Sequence, residues 1–260
     1  MLSVRSVGFA ALVVFGISSG CGESKNDAST ANNVVTSGTL SSASAVPTTT
    51  EKSATTAEGS VIAFYAVDDE QDYFEPFLKE PPSNEVEVNR EGGSYFPGSG
   101  VRTFVMVRAG AGEGARREQI AKKLAALAPA GRTLGWQPVY QRAPDSDVLK
   151  RTGARSYVLA DRFMTERDVA RAELQKPERE GERIAVQLTF TQEGTGTFET
   201  WTRKLIKRRM AIVSNGEVQS VPVVMDAIAG GTAIITMGGS DEEATASATE
   251  LVGKIAASKR

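Results

Sequence analysis

The amino-acid sequence predicts an α+β protein, with mixed or antiparallel sheets and helices on one face. Three observations carry this. Apolar, β-prone runs recur, as VIAFYAV at 61–67, VRTFVMVR at 101–108 and RIAVQLTF at 183–190. The stretch from Met210 to Val224 is interrupted at Ser214-Asn215-Gly216-Glu217, and Asn-Gly accepts the positive φ angles of a tight antiparallel turn. Between the runs, segments such as Ala115 to Ala128 and the one after Ser240 repeat apolar residues at helical spacing.

Ahead of the folded part, residues 1–20 have the order of an export signal. Arg5 precedes the apolar run Val7 to Ile17, and the small residues Ser18-Ser19-Gly20 lead to Cys21, the single cysteine. The run is too short to cross a bilayer as a mature helix. The arrangement resembles a bacterial lipobox, in which cleavage before the cysteine leaves it to carry lipid, although Ser18 stands where Leu is usual. An ordinary secretory signal with an incidental cysteine is the alternative. Residues 21–60, rich in Ser, Thr, Ala and Asn, bury too little apolar surface to offset the entropy of ordering and read as a tether. Its root-mean-square reach is about 35 Å and its stretched limit about 130 Å.

Composition narrows the chemistry. With no histidine, a Ser/His triad, an imidazole proton shuttle and a His-containing metal site are all ruled out. One cysteine allows no disulfide within the chain, and a lipidated Cys21 leaves no free thiol. Lys and Arg number 30 against 32 Asp and Glu, so net charge gives no reason to expect a nucleic-acid partner. After the leader, no apolar run has the length of a membrane helix.

In order along the chain, 61–67 is a strand. The acidic stretch Asp68, Asp69, Glu70, Asp72 and Glu75 lacks the alternating Asp and turn glycine of a calcium loop and reads as a solvated loop. Pro81, Pro82, Gly92, Gly93, Pro97 and Gly98 mark irregular chain. The strand 101–108 leads through Gly110-Ala111-Gly112-Glu113-Gly114-Ala115 to a helix over 115–128, stopped by Pro129 and Gly131. The glycines fit G-x-G-x-x-A, but 134–140 (LGWQPVY) ends without the acid a dinucleotide site needs. Glu113 would also repel phosphate, so a flexible turn is expected.

Further on, 155–160 is a strand, and Thr165 with Asp168 forms a capping pair that should open a helix through Gln175. After a turn at Pro177, Glu178 and Gly181, Ile184, Val186, Leu188 and Phe190 alternate, so one face of that strand is buried. A helix is expected over 196–208, with Phe198, Trp201, Leu205 and Ile206 on its apolar side. Arg203, Lys204, Lys207, Arg208 and Arg209 would form a solvated cationic end, or an anionic-lipid or acidic-peptide site. The hairpin at 210–224 follows, with Pro222 at a strand edge or end. Next come Gly230-Gly231, a strand at 232–237, and a last helix opened by Ser240 and Glu243. That helix turns Ala244, Ala248, Leu251, Val252 and Ile255 inward.

These segments, YVLADRFMTERDVARAEL, IAVQLTFTQEGTGTFETWT, RRMAIVSNGEVQSVPVVMDAIAGG and TAIITMGGSDEEATASATEL, resemble the head of the first periplasmic domain of SecD and SecDF, the Sec export subunits. The elements that carry the likeness are Phe198 and Thr202 before AIV, Gly216, Pro222, Gly230-Gly231 and Asp241. IAFYAVDDE at 62–70 is similar to the opening strand of the same domain. The resemblance divides the chain into a base-like part at 61–150 and a head-like part at 151–260. It implies an α+β periplasmic head that contacts translocating polypeptide while membrane helices draw on the proton gradient. The sequence ends at Arg260 without those helices, so a binding head without its engine is expected. Asn215 stands where the family commonly has Asp.

The expected function is that of a noncatalytic, membrane-tethered envelope lipoprotein whose head-like domain binds polypeptide as an accessory in protein export. Its membrane contact is the lipid on Cys21, and its protein partner is a polypeptide client, an envelope protein or the Sec machinery. No cofactor, metal or catalytic residue is expected. Gly22 lacks the Asp that commonly keeps such proteins at the inner membrane, which favours a periplasm-facing place on the outer membrane. Candidate contact residues are Gln219, Pro222, Ala227, Gly230 and Gly231, beside the turn Asn215-Gly216. An exposed strand edge near Pro222 would take up an extended segment. In the competing reading, Pro222 and the glycines only end strands. A structural scaffold lipoprotein and a carboxylate- or serine-based hydrolase are the alternatives.

Overall fold

The computed structural model describes residues 60–81, 83–98, 100–142, 149–179 and 182–260. The signal, Cys21 and nearly all of the tether lie outside the described residues. The chain runs β1 (Ile62–Val67), a 3₁₀ turn, β2 (Val86–Gly92), β3 (Val101–Arg108), α1 (Glu113–Leu127), β4 (Thr133–Arg142), β5 (Leu149–Thr165) and a second 3₁₀ turn. There follow β6 (Val169–Gln175), β7 (Ala185–Phe190), α2 (Gln192–Lys204), β8 (Met210–Ser214), β9 (Glu217–Ser220), β10 (Thr232–Thr236) and α3 (Asp241–Ala257).

Strand pairing among the described residues is antiparallel throughout. A large sheet has the order β2-β3-β5-β1-β8-β9 with β4 also on β5, and a three-stranded sheet has the order β10-β7-β6. The unbroken apolar run of β1 is explained by its position, because a strand covered on both faces has no polar side to present. Ile62, Phe64 and Ala66 join Met210 and Ile212 of β8 in one core, and Ala63, Tyr65 and Val67 join Ala211 and Val213 in another. The first of these cores also receives Val186, Leu188 and Phe190 of β7, Phe198 of α2 and Leu251 and Ile255 of α3. Both helices therefore cover the same face of the small sheet. A third core, around Val105, Val107, Trp136 and Val158, is closed by Ile120 and Leu124 of α1.

The large sheet joins strands from both halves of the described chain, since β5 pairs with β3, β4 and β1, and β1 pairs with β8. β4 also comes against β9: a Cβ on Gly135 would lie 2.7 Å from Val218 Cγ2, and Gln137 Nε2 donates to the Gln219 carbonyl at 3.3 Å. Ion pairs close the same junction. Arg117 of α1 meets Glu113 and, at 3.4 Å, Glu217 of β9, while Arg151 of β5 meets Glu113 at 3.0 Å and Glu217 at 3.1 Å.

Several expectations are corrected. β2 is a strand inside the region read as irregular: Val86 and Val88 alternate with charged neighbours and pack on the third core. Thr165 and Asp168 do make a reciprocal capping box, but it closes a single 3₁₀ turn, and 169–175 is strand. Val169, Ala172 and Leu174 all pack on the first core, a set that helical spacing would scatter, and β7 takes this segment as its ladder partner. α2 starts four residues earlier than read, because Thr191 caps it by accepting the Gly194 N–H at 2.9 Å. It ends at Lys204, before the cations at 207–209. The expected hairpin, its Asn215-Gly216 turn, the strand after Gly231 and the capped last helix are all present.

Gly194 shows the local packing limit. A Cβ there would meet the Asp168 carbonyl oxygen at 2.3 Å, whereas one on Gly196 would meet nothing. Gly196→Ala should stabilise the chain by about 0.5–1 kcal/mol through helix propensity. Gly194→Ala should instead destabilise it by about 1–3 kcal/mol, since the backbone of the preceding turn must move. Urea unfolding of the two variants checks the opposite signs.

Candidate functional site

The exposed surface that stands out lies where the end of α2 meets the segment from β9 to β10. After α2, Leu205 is buried and the chain turns through Lys207 at φ 63, a left-handed conformation uncommon outside glycine. That turn lets the Lys207 N–H donate to the Val224 carbonyl at 2.7 Å and the Val224 N–H to the Arg208 carbonyl at 2.9 Å. A second anchor lies further along. Thr202, fully buried on α2, accepts the Ile228 N–H on its Oγ1 at 2.9 Å and donates the same hydroxyl to the Phe198 carbonyl at 2.8 Å. Between these two anchors Met225 is 77% exposed, and Ile206 on the facing turn is 38% exposed. Among the described residues Met225 is the most exposed large apolar side chain, held out from a loop anchored on both sides. Beside it, the Trp201 ring stacks on Phe163 at 4.8 Å, and Lys204 Nζ sits 4.7 Å from the Trp201 ring centre.

The candidate contact residues separate in space. Ala227 is half-buried on this loop, with its N–H donated to Asp226 Oδ1, and Gly230 is exposed. Gly231 has φ 66 and accepts the Phe190 N–H at 2.8 Å, which fixes the start of β10. Gln219 and Pro222 are turned elsewhere. Gln219 lies against β4, and Pro222 is buried with its carbonyl accepting the Met210 N–H at 3.0 Å, so the chain near Pro222 is not an exposed edge. Asn215 and Gly216 form the hairpin turn, which Lys254 of α3 holds through Asn215 Oδ1 at 2.8 Å. Sequence reasoning placed Ile206 on the apolar side of the helix, whereas α2 ends at Lys204 and leaves Ile206 exposed on the turn, and it did not single out Met225 as a contact. The available signal was a bulky apolar side chain beside Asp226 in a segment otherwise of Ala, Gly and the anchoring Ile228.

In the acidic stretch after β1, Glu70 and Glu75 are exposed as expected, but the three aspartates are taken up by partners. Asp68 is buried, accepting Arg132 Nε at 2.5 Å and the Tyr73 hydroxyl at 2.9 Å. Asp72 accepts the Thr103 N–H and hydroxyl. Asp69 takes Arg209 in a two-bond fork, at 2.8 and 2.5 Å, with both side chains largely buried. Arg209 therefore belongs to the buried junction, not to a solvated helix end. Glu91 adds a contact to it at 3.3 Å while also binding Arg155 and the Tyr95 hydroxyl. The guanidinium lies 4.8 Å from the Phe96 ring centre and 5.2 Å from that of Tyr157. Burial draws the Arg209 pKa down, but the bonds to Asp69 and the charge around it leave it raised overall. Asp69 and Glu91 are two carboxylates converging in a cleft, yet both are taken up by the same guanidinium. Nearby, Arg102 gives its donors to the carbonyls of Asp69, Val101, Glu70 and Pro97. Burial and the Glu91 carboxylate push the Tyr95 hydroxyl up to about 12.

The glycines at 110–115 take positive φ at Gly110 and Gly112, and the Glu113 carboxylate is occupied by Arg117 and Arg151. Among the described residues no group of three or more His, Cys, Asp or Glu could hold a metal, and no helix is long and apolar enough to cross a membrane.

The described residues form an α+β domain of antiparallel sheets with three α-helices. Residues 141–256 match the family described as SecDF, P1 head subdomain, so the chain carries a SecD P1 head-like domain. Among curated relatives, the SecDF protein translocase subunit of Thermus thermophilus is 49% identical over 63 residues, and the SecD subunit of Syntrophobacter fumaroxidans 42% identical over 59. These segments are 24% and 23% of this chain but only 9% and 11% of the relatives. A solved structure described as a membrane component SecDF that enhances protein export is 23% identical, with a TM-score of 0.33, over 73% of this chain and 92% of that one.

Two outcomes follow from the buried junction. Arg209→Ala should cost about 3–5 kcal/mol in urea unfolding, because it strands the Asp69 carboxylate. For Tyr95, the folded pKa exceeds the ordinary tyrosine value of 10.0. The stability this contributes is complete below pH 10 and is lost as pH climbs through about 12. Burial also raises Tyr73, Tyr140 and Tyr157, so ultraviolet titration should show several tyrosines ionising late, and Tyr95→Phe should remove one tyrosine's share of that late absorbance.

Proposed function

We propose that this chain is a noncatalytic accessory of protein translocation in the bacterial envelope, whose head-like domain contacts polypeptide at the surface around Met225. The single observation that carries the reading is the coincidence of a SecDF P1 head match over 141–256 with an exposed methionine pinned between backbone anchors at Val224 and Ile228. Methionine suits such a role because its unbranched, polarizable side chain adapts to varied apolar partners. Ala227, Gly230 and Gly231 share this loop and complete the contact surface. The names of the relatives, protein translocase subunits SecDF and SecD, support a part in export with the Sec machinery as partner. The signal and Cys21 support lipid anchoring, with residues 21–60 as the tether and the head facing the periplasm. Gly22 leans the anchor toward the outer membrane. Two or three acyl chains at about 0.8 kcal/mol per buried CH₂ would hold it stably to one leaflet.

The test is in-cell photocrosslinking from position 225, with position 118 on the exposed side of α1 as control. Many transient polypeptide adducts from 225 and few from 118 are expected. One stoichiometric adduct would favour a scaffold instead, and equal labelling from both positions would remove the assignment.

A further inference from the structure

We infer that the outer edge of β10 is a strand-addition site for an extended, weakly charged polypeptide segment. The inference deepens the polypeptide-contact reading and rests on it. It comes from the direction of backbone groups. The Phe190 N–H donates to the Gly231 carbonyl at 2.8 Å, and the Met237 N–H donates to the Ile184 carbonyl at 2.9 Å. In an antiparallel ladder, bonded and unbonded pairs alternate. The bonded pairs between those two are therefore Ala233 with Leu188 and Ile235 with Val186, in the observed register. Thr232, Ile234 and Thr236 consequently turn their N–H and C=O groups away from β7. β10 is terminal in its sheet, and β9 approaches it without any hydrogen bond joining them. Among the described residues these outward groups have no partner.

The two edges of the small sheet differ in a way that points to use. β6, at the opposite edge, carries the exposed ion pair Arg171 and Glu173, a charge placement that discourages pairing with another chain. The edge of β10 carries Thr232, Ile234 and Thr236, with no charge, and its own inward residues Ala233, Ile235 and Met237 are locked into the first core. The edge is thus rigid and unblunted, with outward groups repeating every second residue, about 6.8 Å. It follows the Met225 loop directly. A client side chain could rest on Met225 and Ile206 while the next residues add to the ladder. Main-chain bonds supply attraction without selecting sequence.

The experiment uses the full chain and two probes, a short synthetic Thr/Val-rich peptide and its fully N-methylated counterpart. The unmodified peptide should slow hydrogen exchange at the Ile234 and Thr236 amides by about tenfold or more, and the methylated peptide should do neither this nor bind. Ile234→Pro removes an outward N–H while leaving the ladder to β7, a substitution that edge strands accept, and should weaken peptide binding by about tenfold. Equal binding of the methylated peptide would overturn the inference. So would labelling by the peptide from position 225 without protection at Ile234, an outcome that leaves the contact reading intact. Failure of both labelling and protection would remove the contact reading, and this inference with it.

Discussion

Burial of β1 on both faces is the constraint around which the molecule is organised. Its even-numbered side chains belong to the core shared with the small sheet and its two helices, and its odd-numbered ones to the core under β5, β8 and β9. A strand so placed satisfies its backbone only through neighbours on either side, here β5 and β8, drawn from distant parts of the chain. The segment that begins at β1 is for this reason not an appendage. Without it, the apolar strand β8 would keep β9 on one side and be left open along the other.

The charged junction acts on the same elements from the outside. Arg209 directly precedes β8 and is held by Asp69, two residues after β1, so the paired strands are clamped where they emerge from the cores. Burying such a pair gains little over a well-packed apolar alternative, and losing one member costs much. The Tyr95, Phe96 and Tyr157 rings around the guanidinium and the carbonyls around Arg102 complete its surroundings. What the junction supplies is placement: it sets where the turn at 205–208 begins, and that turn carries Ile206 and holds Val224.

Local patterns in the sequence were legible wherever one physical effect dominated. Alternation in 184–190, Asn215-Gly216 and the Ser240–Glu243 box each produced the element they imply. They fail where tertiary packing overrides local preference. Thr165 and Asp168 make their box and still lead into a strand, because β7 needs a partner and the residues at 172 and 174 face the core. Asp68 and Asp69 look solvated by composition, and only their cationic partners Arg132 and Arg209, far along the chain, turn them inward. The surface around Met225 was partly readable, since Ala227 and the glycine pair were singled out. Pro222 was misplaced because a missing N–H marks strand ends in general and says nothing about whether the end is covered.

The attachment of the 225–231 segment fixes how mechanical load would pass through the head. A pull applied at Met225 reaches the framework at Val224 through the turn after α2 and at Ile228 through the hydroxyl of Thr202. From Thr202 it passes one helical turn back to Phe198, whose ring lies edge-on to Phe64 of β1 at 5.8 Å. Tension gripped at the surface is thereby delivered to the most deeply seated strand, which yields only if two cores open together.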